Sequence, residues 1–179
     1  GLEFILPPQD DAVTNGDFET LSGWQTAGSP LPSLVSPPHT GVYAVQLGSP
    51  GTDSVLSQVI TPGSALSNPA LSFMTRLGGA SPASTLEIEL ANTGVFSPPV
   101  TFAVSVDSED WTHVWYDLAV LAGQQMAAPP ASPALILAEP LTLTLLVSDG
   151  YAVAVDEVRL GSAPQGTYSI YLPLSANDQ

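Results

Sequence analysis

The chain has 179 residues and a mass of 18.5 kDa, room for one ordinary domain and hardly for two. Two arginines, Arg76 and Arg159, stand against 17 acidic residues for a formal charge of −15. That excludes nucleic acid and anionic membrane surfaces as partners, because both are held by clustered Lys or Arg. Cysteine is absent, which removes disulfides, thiol catalysis and thiolate metal sites together.

In chain order, the opening Gly1-Leu2-Glu3-Phe4 lacks an initiator Met, and residues 1–11 read as a leader or vector remnant. Short apolar segments of period two then follow one another: Val42–Leu47, Val55–Ile60, Ala70–Leu77, Thr85–Leu90, Val100–Val106, Thr112–Leu118, Leu141–Val147 and Tyr151–Leu160. Turn residues bound them, among them Thr61-Pro62-Gly63 and Gly78-Gly79. Only Val120–Ala128 approaches a helical pattern, and Pro129-Pro130 stops it. Ala127–Pro140, with its prolines, reads as loop, and Thr167–Leu174 as a further strand before a polar tail. The pattern predicts an all-β protein, a sandwich or closed barrel over 12–161, with residues 162–179 adding an extra strand and tail.

Alternation assigns the faces. Leu71, Phe73, Thr75 and Leu77 share one side, as do Leu86, Ile88 and Leu90, and Val114, Tyr116 and Leu118. Gln46, Met74, Arg76, Glu87, Glu89, His113 and Trp115 then point away from the core.

Several segments carry a family resemblance. Asn15-Gly16-Asp17-Phe18-Glu19 is followed by Ser22-Gly23-Trp24, then by His39-Thr40-Gly41-Val42-Tyr43-Ala44-Val45-Gln46-Leu47. Asp110-Trp111-Thr112-His113-Val114 precedes a strand, and Val153-Ala-Val-Asp156-Glu157-Val158-Arg-Leu160 closes the domain. This arrangement resembles the carbohydrate-binding modules of the family 4/9/16/22 type, which are galactose-binding-like jelly-roll β-sandwiches of two antiparallel sheets appended to secreted bacterial glycoside hydrolases. The resemblance covers roughly residues 12–161. It implies a non-catalytic polysaccharide-binding domain of a larger protein, secreted or on the cell surface. It also implies a structural Ca²⁺ held by Asp17, Glu19, the carbonyl of Gly41 and Asp156. Hard oxygen donors suit that ion, and a dication would relieve repulsion in so acidic a chain. On the residues alone, Asn15-Gly16-Asp17 also reads as a turn and Asp156-Glu157 as an exposed strand end.

A sugar site needs flat aromatic faces and a few planar polar groups. The chain has 3 Trp and 5 Tyr. Trp24 and Trp111 are expected to plug the core edge. Trp115 faces outward with His113, as a sugar platform, as a residue covered by Ala127–Pro140 or the tail strand, or as a contact between copies. Gln46, Met74, Arg76, Glu87 and Glu89 would line a groove with His113 and Trp115 if their strands share a sheet. Arg76 would either pair with Glu87 or Glu89 or bond a ligand. Tyr168 and Tyr171 are expected to pack.

Catalysis has little support. No Gly-x-Ser-x-Gly elbow and no zinc-binding His pattern is present, and Glu87 with Glu89 reads more readily as a solvated strand face than as a glycosidase pair. The leading expectation is therefore the calcium-stabilised sugar-binding module. A structural or adhesive sandwich without a sugar site is the alternative.

Overall fold

The computed structural model describes residues 7–48, 53–79, 83–125, 136–148 and 151–164. Within them lie strands β1 (Gln25–Gly28), β2 (Ser33–Val35), β3 (Ala44–Leu47), β4 (Ser54–Ile60), β5 (Leu66–Ser67), β6 (Pro69–Leu77), β7 (Ser84–Ala91), β8 (Val100–Val106), β9 (Thr112–Asp117), β10 (Ile136–Leu137), β11 (Leu141–Val147) and β12 (Val153–Ser162), with one helix, α1 (Leu118–Gln125). They form two five-stranded antiparallel sheets, β1-β4-β11-β7-β8 and β2-β3-β12-β6-β9, and a two-stranded β10-β5 ribbon. The architecture is the jelly-roll β-sandwich that the sequence predicts.

Period-two patterning builds the core. Leu86, Ile88 and Leu90 of β7 and Leu141, Leu143, Leu145 and Val147 of β11 are buried from one sheet. Val45, Leu47, Leu71, Phe73, Leu77, Val153 and Val155 meet them from the other. Burying each such side chain contributes about 1.5–3 kcal/mol, so the alternation alone commits these strands to facing sheets. Trp24 closes one edge as expected: it is 7% exposed, its ring lies 5.3 Å from that of Phe18, and its Nε1 donates to the Asn15 carbonyl at 3.1 Å.

Two features depart from the expected elements. A helix does form, shifted ahead of Val120–Ala128: Asp117 Oδ1 accepts from the Ala119 amide at 2.8 Å and caps it, and Leu118, Leu121 and Ala122 bury its inner side. Short strands also appear where no alternation marks them. β1 is exposed at all four residues, and main-chain pairing to β4 alone defines it.

Residues 9–12 run beside the end of β12, with Gln9 and Ser162 exchanging both backbone hydrogen bonds and Ala12 donating to the Leu160 carbonyl. The expected tail strand Thr167–Leu174, with Tyr168 and Tyr171, and most of Ala127–Pro140 lie outside the described residues.

Candidate ligand-binding face

The sheet β2-β3-β12-β6-β9 carries most of the expected site. Across its outer side the register sets Gln46 of β3, Ala154 of β12 and Arg76 of β6 in one row. The next row runs Asp156, Met74, His113, and the next Arg159, Ser72, Trp115. Gln46, Met74, Arg76, His113 and Trp115 are thus brought to one face, with the small residues Ala154 and Ser72 between them.

Glu87 and Glu89 are not part of it. They lie on β7, which pairs with β11 and β8 in the opposite sheet, and they look outward from the other side of the sandwich. The groove expected to hold all seven residues therefore loses these two. The chain crosses from one sheet to the other between β6 and β7, so neighbours in sequence are separated by the thickness of the core. The same crossing rules out the expected pair between Arg76 and either glutamate.

Arg76 has other partners. Its Cζ stands 4.9 Å from the ring centroid of Trp111, a cation–π contact, while Nη2 donates to the Pro37 carbonyl at 3.1 Å. Trp111 is consequently no core plug: it is partly exposed, lies outside the core cluster, and meets the His39 ring edge-on at 5.9 Å. Alternation held the clue, because residues 111, 113 and 115 fall on one side of an extended segment.

The segment 36–43, between β2 and β3, walls this face and is fastened by carboxylates. Asp156, fully buried, accepts from the amides of His39 at 2.8 Å and Thr40 at 3.1 Å through Oδ2, and from its neighbour Glu157 through Oδ1. Glu157 Oε2 meets His39 Nδ1 at 2.8 Å, and its Oε1 accepts from the Thr40 hydroxyl. Glu19 Oε1 accepts from the Val42 amide at 2.6 Å. Gly41 sits between these anchors at φ 73°, a left-handed conformation that strains other residues, and a Cβ there would displace the Glu19 carboxylate.

Glu157 reaches this loop because β12 carries a bulge between Asp156 and Arg159, with Glu157 at φ 50°. A bulge of this kind re-aims a side chain while strand pairing resumes on either side. The sequence signals it as a phase slip, since Val153 and Val155 face inward but so do Val158 and Leu160.

Burial pushes the Asp156 carboxyl above its ordinary range, against the pull of the amides of Thr40, Glu157 and His39. Burial likewise depresses the His113 imidazole, with Glu157 raising it part of the way back.

For calcium, the fold gathers Glu19, Gly41 and Asp156 around one turn, two carboxylates and a carbonyl of the hard-oxygen type that ion takes. Asp17, the fourth expected ligand, lines a polar recess with Asp11, Asn15, Glu157 and Arg159. Among the described residues no group of three or more acidic or imidazole side chains is placed to hold a metal ion.

Comparisons with known proteins follow the architecture. No family model and no curated protein matches the sequence. Among solved structures, a family 61 carbohydrate-binding module in complex with β-1,4-galactotriose aligns over 85% of this chain and 98% of its own, with TM-score 0.63 and 16% identity. These figures fix the fold. It is the β-sandwich of carbohydrate-binding modules. The C-terminal family 22 module of Clostridium thermocellum Xyn10B covers 91% of this chain and all of its own at TM-score 0.54 and 13% identity. A xylan-binding family 22 domain from Paenibacillus barcinonensis covers 90% and 99%, with TM-score 0.55 and 12% identity.

Proposed function

We propose that the protein is a non-catalytic carbohydrate-binding module of an exported protein, and that it binds polysaccharide on the outer side of β2-β3-β12-β6-β9. One observation carries this reading: two partly exposed tryptophans outside the core, Trp111 and Trp115, share that face with the planar side chains of Gln46 and Arg76. Flat aromatic rings beside planar hydrogen-bonding groups are what a pyranose requires, with its apolar C–H face and equatorial hydroxyls. The fold supports it, being shared with modules solved with galactotriose and described as xylan-binding. Such a module acts by effective concentration, keeping a tethered partner domain near an insoluble substrate.

In this reading the two histidines serve the face: His39 is engaged by Glu157, and His113 lies beside Trp115. The part of this reading that concerns calcium assigns Asp17, Glu19, Asp156 and the Gly41 carbonyl as ligands. When bound, the ion would supply no chemistry beyond tying the 36–43 turn to β12. Thermal unfolding tests it: Tm rises with added Ca²⁺ and falls in chelator, whereas equal values refute the site.

The sugar-binding reading is tested by affinity electrophoresis and pull-down on soluble and insoluble polysaccharides, with Trp115→Ala alongside. Retention on one glycan class, lost in the variant, is the expected result. The competing reading, a structural or adhesive domain, draws on the full burial of Ala44 and Ala154, which shows part of the sheet face already covered by the chain itself. Failure of every glycan to retain the protein would favour it.

A further inference from the structure

We infer that Arg159 reads a carboxylate on the bound sugar, so that the face takes a glycan bearing isolated uronic acid residues on an otherwise neutral backbone. This rests on the sugar-binding reading above and goes beyond it in naming the ligand's acidic group and the side chain that meets it.

The chain holds two arginines and no lysine, and one of the two is already committed. The Arg76 guanidinium donates to the Pro37 carbonyl and stands over the Trp111 ring at 4.9 Å. Arg159 differs. It alternates with the buried Val158 and Leu160, so it stands on the outer side of β12, partly exposed. Among the described residues its guanidinium makes no ion pair. The carboxylates nearby show why. Burial raises the Asp11 carboxyl and the Arg159 charge draws it part of the way back, so the two are neighbours. Yet Asp11 Oδ1 is turned to the amides of Val13 and Leu160, both at 3.1 Å. Glu157, in the same recess with Asp17, is held by His39 and Thr40.

That recess lies on the flank of β12 where residues 9–12 run beside it, and the other flank faces β6. Towards β6 the register sets Ser72 and then Trp115 in the row of Arg159. Arg159 and Trp115 are two strand spacings apart, about 10 Å, with the small buried Ser72 between them. One pyranose stacked on the indole spans this distance when its exocyclic carboxylate points along the row towards β12. A guanidinium meets a carboxylate in two parallel N–H···O bonds, a geometry that a lysine ammonium cannot reproduce. Charge limits how many carboxylates the ligand can carry. Asp11, Asp17 and Glu157 stand behind Arg159 and the whole chain carries −15, so a polymer charged on every ring is repelled where a single carboxylate is held.

The test is calorimetric titration of the full chain with xylo-, gluco- and galacto-oligosaccharides that each carry one uronic acid. Every ligand is paired with its carboxyl-reduced, neutral form, and oligogalacturonates serve as the densely charged probe. In the series that binds, the acid form should bind about tenfold tighter than the reduced form, the order of one hydrogen-bonded charged contact. Oligogalacturonates should bind more weakly than the singly charged ligand. Arg159→Gln should bring the acid form down to the affinity of the reduced form. Arg159→Lys should keep part of the preference, since it retains the charge without the fork.

If acid and reduced forms bind alike, or oligogalacturonates bind best, the inference is overturned with the sugar site left standing. The same holds if the preference survives Arg159→Gln, or if Arg76→Gln removes it instead. If no oligosaccharide binds in either form, the sugar-binding reading falls and takes this one with it. Should Arg159→Gln not fold, the salt dependence of the unaltered protein decides. Added NaCl should weaken the acid form and spare the reduced form, and an equal response of the two refutes the contact.

Discussion

Replacing Asp156 with alanine probes the joint on which the candidate face depends. The carboxylate is fully buried and accepts three backbone amides, two of them from the 36–43 segment at 2.8 and 3.1 Å. Hydrogen bonds to a charged group contribute about 1.5–3 kcal/mol each, and amides stripped of a partner in a buried place cost about 1–3 kcal/mol. Against this stands relief of the burial penalty that raises the Asp156 pKa. Rehydration of the released loop offsets part of the rest, leaving a net loss of about 2–3 kcal/mol, below the full cost of breaking a buried ionic contact. For a chain of this size that corresponds to a fall in Tm of about 4–12 °C. The assay is thermal unfolding followed by circular dichroism in chelator, so that any metal contribution is absent from both proteins. The neighbouring Glu157→Gln serves as the contrast. The His39–Glu157 pair is 35% and 22% exposed at its two side chains, and such a pair contributes under about 1 kcal/mol. Equal Tm values for the two variants, or a fall below about 2 °C for Asp156→Ala, would refute the claim that the buried carboxylate anchors the loop.

Gly16→Ala should cost about 2 kcal/mol or more, read as a lowered denaturant midpoint, because its Cβ would fall 1.9 Å from the Val158 carbonyl oxygen, a backbone atom held in the β12 bulge. In a His113→Gln background, which removes the opposing titration of the burial-depressed imidazole, acidification from neutral pH towards pH 5 should raise Tm. Asp11 and Asp156 both have folded pKa values above 3.8, so above that pH the folded chain binds more protons than the unfolded one and stability falls as pH rises. Relief of repulsion in a chain of charge −15 acts in the same direction, and a Tm that climbs with pH through this window would contradict both terms. Glu87→Gln and Glu89→Gln should leave glycan retention unchanged, since both residues lie on the sheet opposite the tryptophans. Loss of retention in either variant would move the site to the other face.

Where side chains decide the structure, the sequence was a good guide. Leu71, Phe73, Thr75 and Leu77 are buried as their alternation requires, and Leu86, Ile88 and Leu90 likewise, since strict period two with apolar residues permits only one burial. Main-chain hydrogen bonds decide the remaining elements. β1, Gln-Thr-Ala-Gly, has no apolar face to read, and its place follows from the β4 edge that accepts it. The helix α1 is seeded by the Asp117 cap, a single side chain at the end of β9, rather than by a long amphipathic run.

The candidate site shows the same division. Outward direction was readable for each residue, but which outward residues meet depends on strand order, and period two carries no information about strand order. Glu87 and Glu89 have the same alternation as Met74 and Arg76 yet stand on the other sheet, because the β6–β7 connection changes layers. Glu157 was hidden differently. The Val-Ala-Val-Asp-Glu-Val-Arg-Leu run looks like one regular strand with a polar end until its phase is followed through Val158, where the slip betrays the bulge. That slip turns two adjacent acidic residues into two distinct anchors, one buried under the loop and one reaching over it to His39 and Thr40. In this fold a broken alternation is thus more informative about the site than an intact one. Regular strands build the core, and the irregular stretch of β12 fastens the 36–43 wall beside the indole of Trp111.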